Sequence, residues 1–291
     1  MADTAYLEPT TLEGVYDALD RYGDDARLLS GGTGLVNLMK QQLVQPACLI
    51  GLRRLPGLSD ITFSQGAVQI GGLVTQYDAE TSPVLKEHAP LLADTYRQVA
   101  TVRIRNMATV GGGVAHGDPN QDPPASLVAL GASIQLASRN GTRSVPAEDF
   151  YKGYYETAIE PGEVVVGVTI PAQPQGSGWV YLKFLPRTSD DYATVSVAAL
   201  VTLGPDGETC SDVRVALGAV SAAPVRATEF ESALRGQILT PRAIADAAET
   251  MRSAVDPLTD LRGSAAYKRE MSVVWTRRAL EQALAKARAA R

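Results

Sequence analysis

The first fifty residues carry one clear helical period set between short apolar runs. Thr11 and Glu13 open a stretch in which Leu12, Val15, Tyr16 and Leu19 recur at i, i+3, i+4 and i+7, and Gly23 supplies a C-terminal stop. Apolar segments at residues 6–7, 27–29 and 47–51 flank this helix and a second one through Leu35, Leu38, Met39 and Leu43, which the pattern carries to near Pro46. Residues 4–51 therefore predict a βαβ-like unit. From about Asp60 the period drops to two, and residues 61–63 and 67–70 alternate around Ser64-Gln65-Gly66, a hairpin signal. Pro83 and Pro90 mark helix starts. Residues 101–106 read as a strand, 109–124 as a glycine- and proline-rich loop, and 127–130, 133–137 and 143–145 as further short elements before a clear strand at 164–170.

Residues 171–178, Pro-Ala-Gln-Pro-Gln-Gly-Ser-Gly, hold no apolar anchor and predict a linker. Beyond them, 179–184, 194–203 and 213–219 predict antiparallel strands, and 227–234, 241–253 and 265–290 predict helices. The boundary divides the chain into 1–175, itself two parts of about 1–58 and 59–175, and a smaller unit of 176–291.

Composition narrows the chemistry. The chain has 291 residues, 45% apolar and 20% charged, an ordinary globular balance for one large or two smaller domains. A net charge of −5 excludes the basic footprint of a nucleic-acid protein. There are two cysteines, Cys48 and Cys210, and two histidines, His88 and His116. With no CxxC, the chain cannot itself hold a zinc ribbon, a CxxC redox site or a cysteine-ligated iron–sulfur cluster. No Ser–His–Asp or Cys–His arrangement is visible, so no catalytic side chain is assigned, and any redox chemistry belongs to a bound cofactor. The acidic start lacks a signal-peptide pattern, and the longest strongly apolar stretch, 193–203, is about half of the roughly 20 residues a membrane helix needs. The expectation is a cytoplasmic protein with no membrane insertion. Residues 261–291 carry a surplus of six positive charges, leaving −11 on the rest. An exposed helix with cations at the negative end of its dipole is the simpler reading, a docking surface for an acidic partner the other.

Two glycine clusters stand out. Ser30-Gly31-Gly32-Thr33-Gly34, with Leu35 following, lies between strand and helix, where glycines admit a ligand to the backbone and successive N–H groups form an anion nest. Thr109-Val110-Gly111-Gly112-Gly113 is the second, followed by Asp118 and Asp122. Either alone is more often a turn. Two in one chain, both read at strand ends, point to a large phosphate-bearing cofactor held between two parts of the protein.

Four segments in register carry a resemblance. SGGTGLVNLMK, RIRNMATVGGGVAHGDPNQDPPASLVALGAS, EPGEVVVGVTIP and WVYLKFLPRTSDDYATVSVAAL resemble the FAD-binding (medium) subunit of the molybdenum hydroxylases, the xanthine dehydrogenase, carbon monoxide dehydrogenase and aldehyde oxidase relatives, over nearly the whole chain. The resemblance implies an α+β fold: a two-subdomain FAD-binding domain of the vanillyl-alcohol-oxidase/PCMH type, then a C-terminal domain of antiparallel sheet and helices. It implies that Ser30, Gly31, Gly32, Thr33, Gly34 and Leu35 wrap the FAD diphosphate, and that Thr109, Gly112 and Gly113 reach the flavin end with Val99 or Ala100 nearby. Asp122 is implied at the cofactor hydroxyls, Val165 against the ring system, Lys183 as the C-terminal domain's contact and Tyr192 as a weaker one. The molybdenum cofactor and [2Fe–2S] clusters are implied only on a large and a small partner subunit, in a heterotrimer or its dimer. Gly113 departs from the family's usual Asn, which suggests extra room beside the flavin and an alternative, a standalone FAD-dependent oxidoreductase with its own small substrate. A scaffold subunit with a decayed flavin site is disfavoured by the intact first loop, Thr109, Asp122 and Lys183.

Three smaller features have plain readings. His116, Asp118 and Asp122 form polar loop chemistry rather than a metal site. Arg103 and Arg105 lie on a solvated strand face. Tyr151, Tyr154 and Tyr155 pack at a strand junction.

Overall fold

The computed structural model describes residues 4–185, 187–188 and 190–290. Its first layer follows from the N-terminal pattern: β1 (Ala5–Leu7), α1 (Leu12–Tyr22), β2 (Ala26–Leu29), α2 (Leu35–Lys40) and β3 (Cys48–Gly51). The strands form a parallel sheet in the order β1-β3-β2, so the central β3 buries Cys48 and Ile50 completely. The Thr11 hydroxyl accepts the Gly14 N–H at the start of α1, and Gly23 closes the helix at φ 50°. α2 ends at Lys40, well short of Pro46, because Gln42 takes φ 60° and turns the chain.

The second layer is antiparallel: β4 (Ile61–Ser64), β5 (Ala67–Gly71), β6 (Ser133–Ser138) and β7 (Gly141–Pro146) join β10 (Val164–Pro171) in the order β4-β5-β10-β6-β7. A small hairpin of β8 (Tyr151–Gly153) and β9 (Glu156–Thr157) precedes β10. Gln65 and Gly66, at φ 51° and 77°, make the tight turn of the β4–β5 hairpin. Between β5 and β6 the chain is helical: α3 (Gln76–Thr81), α4 (Pro83–His88), α5 (Pro90–Arg97), α6 (Val102–Arg105), α7 (Val110–His116) and α8 (Pro123–Ala129), with α9 (Ala147–Phe150) after β7.

Two expectations fail in this region. Residues 101–106 are the one-turn α6 rather than a strand, because the Thr101 hydroxyl caps the Ile104 N–H. The stretch 109–124 is a loop only at 117–122: Thr109 caps α7, so the glycine run lies inside a helix and not at a strand end. Residues 127–129 lie in α8, whose seven residues are all buried, and Leu130 caps it. Glycine is costly in a helix, and here close approach is the return. A Cβ on Gly111 would stand 2.7 Å from the Gly72 carbonyl oxygen, and one on Gly72 2.6 Å from that of Val165. The Gly111 N–H donates to Gly72 O at 2.9 Å, and that of Gly72 to Val166 O at 2.8 Å. Backbone thus rests on backbone where α7 crosses β10.

Residues 171–178 are tied down. Gln173 donates its N–H to His88 O at 2.8 Å, and its side chain accepts the Leu91 N–H at 2.8 Å. They lead into a third sheet, β11 (Gly178–Phe184), β12 (Val195–Leu203), β13 (Cys210–Gly218) and β14 (Val225–Arg226), antiparallel in that order. Helices α10 (Thr228–Leu234), α11 (Pro241–Ala248), α12 (Met251–Ala254) and α13 (Ala265–Ala289) complete it. Central β12 is buried on both faces: Val197 and Ala199 face the core under α13, while Ala198 joins the core of the second layer near α8. That explains its unbroken apolar run.

α13 is not simply an exposed helix. Val273, Ala279, Leu280, Ala283, Leu284 and Ala287 are buried, and a Cβ on Gly178 would lie 1.8 Å from Ala283 O, so β11 and α13 touch through their backbones. Much of its positive charge is engaged. Lys268 pairs with Asp260 at 2.7 Å, Arg269 with Asp256 at 3.8 Å, and Lys286 lies 4.0 Å over the Trp179 ring. Among the described residues no helix is long and apolar enough to cross a membrane.

Candidate functional site

The two glycine segments meet. Ser30 Oγ lies 2.6 Å from Thr109 Oγ1, and the same threonine oxygen accepts the Gly112 N–H at 3.1 Å. One hydroxyl pair therefore joins the end of β2 to the start of α7. The first loop also rests on the chain ahead of α7: a Cβ on Gly31 would be 2.0 Å from Met107 O and 2.9 Å from Ala108 Cα. Only glycine fits there. Among the described residues the backbone N–H groups of Gly31, Gly32 and Thr33 donate to no protein acceptor, while Gly32 O and Thr33 O accept from Val36 N and the Asn37 side chain. Free, adjacent donors on a side-chain-free turn suit an anionic diphosphate. α2 has only six residues, so these local N–H groups, not a long helix dipole, supply the attraction.

His116, at the C-terminal end of α7, reaches the same loop. Its Nε2 and Cε1 would stand 3.4 and 3.5 Å from a Cβ on Gly34, and its ring centroid lies 5.3 Å from that of Tyr155. Leu35 begins α2 directly beyond the loop.

The segment from Gln98 to Ala100 is held from two sides. Arg105 Nη1 donates to Val99 O at 2.7 Å and Ala100 O at 3.1 Å, its Nε pairing with Glu80 at 2.8 Å. Arg105 is therefore a brace, not a cation on a solvated strand face, and its side chain is largely buried. Lys183 Nζ donates to Gln98 O at 3.0 Å from the other side. Ala100 sits at φ 40°, a left-handed conformation that a non-glycine residue keeps only where its surroundings impose it.

Asp122 is 3% exposed and forms a buried triad with the third sheet. Its Oδ1 accepts the Tyr181 hydroxyl at 2.6 Å and its Oδ2 the Lys183 ammonium at 2.9 Å. Burial pushes the carboxyl upward, against the opposing pull of Lys183 and Tyr181. The Tyr181 phenol is pushed well up by burial and by the adjacent carboxylate. Sequence reasoning singled out Lys183 and Asp122 separately. Tyr181, Gln98 and Arg105 were missed, and only the Tyr-x-Lys spacing on one face of a strand pointed to Tyr181.

Asp118 is a second buried carboxylate. It accepts the Asn120 N–H at 2.9 Å and Asn120 Nδ2 at 3.1 Å, and its charge helps to raise the phenols of Tyr155 and Tyr192. The Tyr192 ring lies beneath Arg262 at 5.2 Å, and burial together with the Asp118 charge raises its phenol. Of the three tyrosines expected to pack at a strand junction, Tyr151 is buried, whereas Tyr154 and Tyr155 are exposed. Among the described residues no group of His, Cys, Asp and Glu is arranged to hold a metal. Burial pushes the Cys210 thiol up to about 11 and Cys48 up as well, so neither is poised as a thiolate.

Gly113 does not open a notch. A Cβ there would lie 3.2 Å from Gln121 Oε1 and 3.3 Å from Gln76 Nε2, and Gln121 Nε2 donates to Gly113 O at 3.2 Å. Two side-chain amides occupy the room that the sequence left open. Val165 is buried in the core of the second layer, beside the Gly72 crossing. The structure thus gathers Ser30–Leu35, Thr109, Gly112 and Gly113 at one place, and joins Asp122, Lys183 and the Val99–Ala100 segment at another, with Tyr192 at the Asp118 turn.

The chain is similar to known proteins over nearly its whole length. Residues 2–173 match the family described as FAD binding domain in molybdopterin dehydrogenase, and 180–283 match the CO dehydrogenase flavoprotein C-terminal domain. The carbon monoxide dehydrogenase medium chain of Hydrogenophaga pseudoflava is 37% identical over 281 residues, covering 97% of each chain. A solved structure of that organism's carbon monoxide dehydrogenase superposes with a TM-score of 0.94, covering 97% of this chain and 98% of the other. Quinoline 2-oxidoreductase from Pseudomonas putida 86 superposes with a TM-score of 0.92 at 34% identity, covering 98% of both chains.

Proposed function

Because this chain belongs to the FAD-binding medium subunits of the molybdenum hydroxylases, FAD-dependent oxidoreductases, we propose that it is the electron outlet of a three-part dehydrogenase. The observation that carries the reading is the junction of the two glycine segments through Ser30 and Thr109, with unpaired N–H groups at Gly31, Gly32 and Thr33. In this reading residues 30–35 hold the diphosphate, and Thr109, Gly112 and Gly113 with the Val99–Ala100 segment line the flavin end. Asp122 and Lys183 fix that segment and the third sheet in one arrangement, Val165 backs the ring system, and Tyr192 closes the mouth. When bound, FAD supplies the redox chemistry, taking electrons from [2Fe–2S] clusters of a small partner subunit and releasing them to an external acceptor.

Substrate oxidation belongs to a large subunit with the molybdenum cofactor, in a cytoplasmic heterotrimer or its dimer. The unit that binds FAD is residues 1–175, and 176–291 is the C-terminal flavoprotein domain. The related enzymes take substrates as different as carbon monoxide and quinoline, which suits a subunit that does not select the substrate. A standalone oxidase drew its support from room at Gly113, and Gln76 and Gln121 fill that room.

Purification from the native host tests this. The expected sample is yellow, has a flavin spectrum, and co-purifies with molybdenum- and iron-containing chains. A chain that stays colourless after FAD is added refutes the site; turnover of a small substrate by the isolated chain with FAD alone refutes the division of labour.

A further inference from the structure

His88 and His116 are the only histidines in the chain, and one of them lies against the first glycine loop. His116 approaches Gly34 with Nε2 3.4 Å from the position of an absent Cβ, so the missing side chain makes the space the imidazole uses. Its ring is partly exposed and tilted 60° to Tyr155 at 5.3 Å, packing that limits its orientation. Among the described residues neither ring nitrogen has a protein hydrogen-bond partner, whereas the neighbouring Asp118 accepts both the N–H and the side-chain amide of Asn120. The nearby carboxylate is therefore bonded to an asparagine and not to the imidazole, which keeps its donor for something else. Its contact at Gly34 lies at the end of the loop whose Gly31, Gly32 and Thr33 N–H groups are free, and it comes from α7 rather than from the loop itself.

We propose that His116 is a binding residue of the cofactor site, donating a ring N–H to the diphosphate where it crosses Gly34. The inference rests on the reading of residues 30–34 as the diphosphate cradle. It makes the cradle a two-segment device: backbone donors from one side and an imidazole from the other. A phosphate-bearing ligand is then recognised by both glycine segments at once, and a flavin without phosphates by neither of these contacts.

Titrating the cofactor-free full-length chain with FAD, ADP and riboflavin tests it. H116A is expected to weaken FAD and ADP binding by the same factor, about tenfold or more, as for a lost hydrogen bond to a charged group, and to leave riboflavin binding unchanged. H116Q, which keeps an N–H donor, is expected to recover part of the loss. If H116A does not fold, H116F keeps a ring against Tyr155 without the donor and is expected to show the same loss. FAD and ADP affinities within twofold of the parent, or a parallel fall in riboflavin binding, overturn the role of His116. A parent chain that binds FAD but not ADP, or neither, overturns the diphosphate cradle itself and the imidazole contact with it.

Discussion

Gly31 sets the tolerance of the first loop. A methyl group there would meet Met107 O and Ala108 Cα, both backbone atoms that no side-chain rotation moves aside. Gly31→Ala is therefore expected to push residues 30–34 away from the start of α7, break the Ser30–Thr109 contact, and weaken FAD binding by at least about tenfold. Equal FAD affinity in calorimetric titration of the two proteins would sink the close-packed loop. At this scale the sequence was partly legible. Glycine runs announced where a ligand comes close to the backbone, since few other needs call for so many side-chain-free positions. What filled the gap at Gly113 was not legible, because Gln76 lies far from it in sequence and nothing marks Gln121, eight residues on, as its neighbour.

Elements were most readable where one period dominated. α1, the β4–β5 hairpin and β10 follow their patterns, with Thr11, Gly66 and the apolar run of 164–170 in the places expected. Residues 101–106 failed because the alternation of Val102 and Ile104 with arginines imitates a strand, while a single threonine cap decides for a turn of helix. The glycine run of α7 failed for the opposite reason: local cost argues against a helix, and packing on Gly72 overrides it. Glu163 illustrates an element-scale link. Its carboxylate accepts Arg143 Nε at 2.6 Å and Nη2 at 2.7 Å, tying β7 to the turn before β10, and the Glu160 N–H at 2.7 Å. The hydrogen bond from Arg143, with the Glu160 N–H, holds the carboxyl below its usual range. A lowered carboxyl stabilises the fold above its unfolded value of about 4.3, and that contribution fades as pH falls through the lower folded value. Glu163→Gln is therefore expected to lose less stability than the parent between pH 6 and pH 3.5, as urea midpoints would record. Parallel pH curves for the two proteins would count against the link.

Across the whole molecule, the Asp122–Lys183–Tyr181 triad is the main polar tie between the third sheet and the segment at Gln98. Removing one member of a buried ion pair strands the other charge. Asp122→Ala is thus expected to destabilise by about 3 kcal/mol or more, while the double change Asp122→Leu with Lys183→Met is expected to cost much less. Chemical denaturation of the three proteins checks this, and equal losses for the single and double variants would refute the pairing. The tie was legible only as two separate residues, since its partners come from positions 61 apart in the chain.

The backbone crossing of α7 on Gly72 and β10 has a consequence for how the protein is made. The bed on which the second glycine segment lies is finished only by residues Val165 and Val166, and the tie to the third sheet only by Lys183. During synthesis a ribosome has produced both glycine segments long before it produces the strand that seats one of them. The nascent chain therefore carries the parts of a cofactor cradle that is not yet assembled, and contacts this distant in sequence close late in folding. On the proposed reading of these segments, cofactor capture is expected to follow translation of more than half of the chain, once the strands around β10 have come together in register.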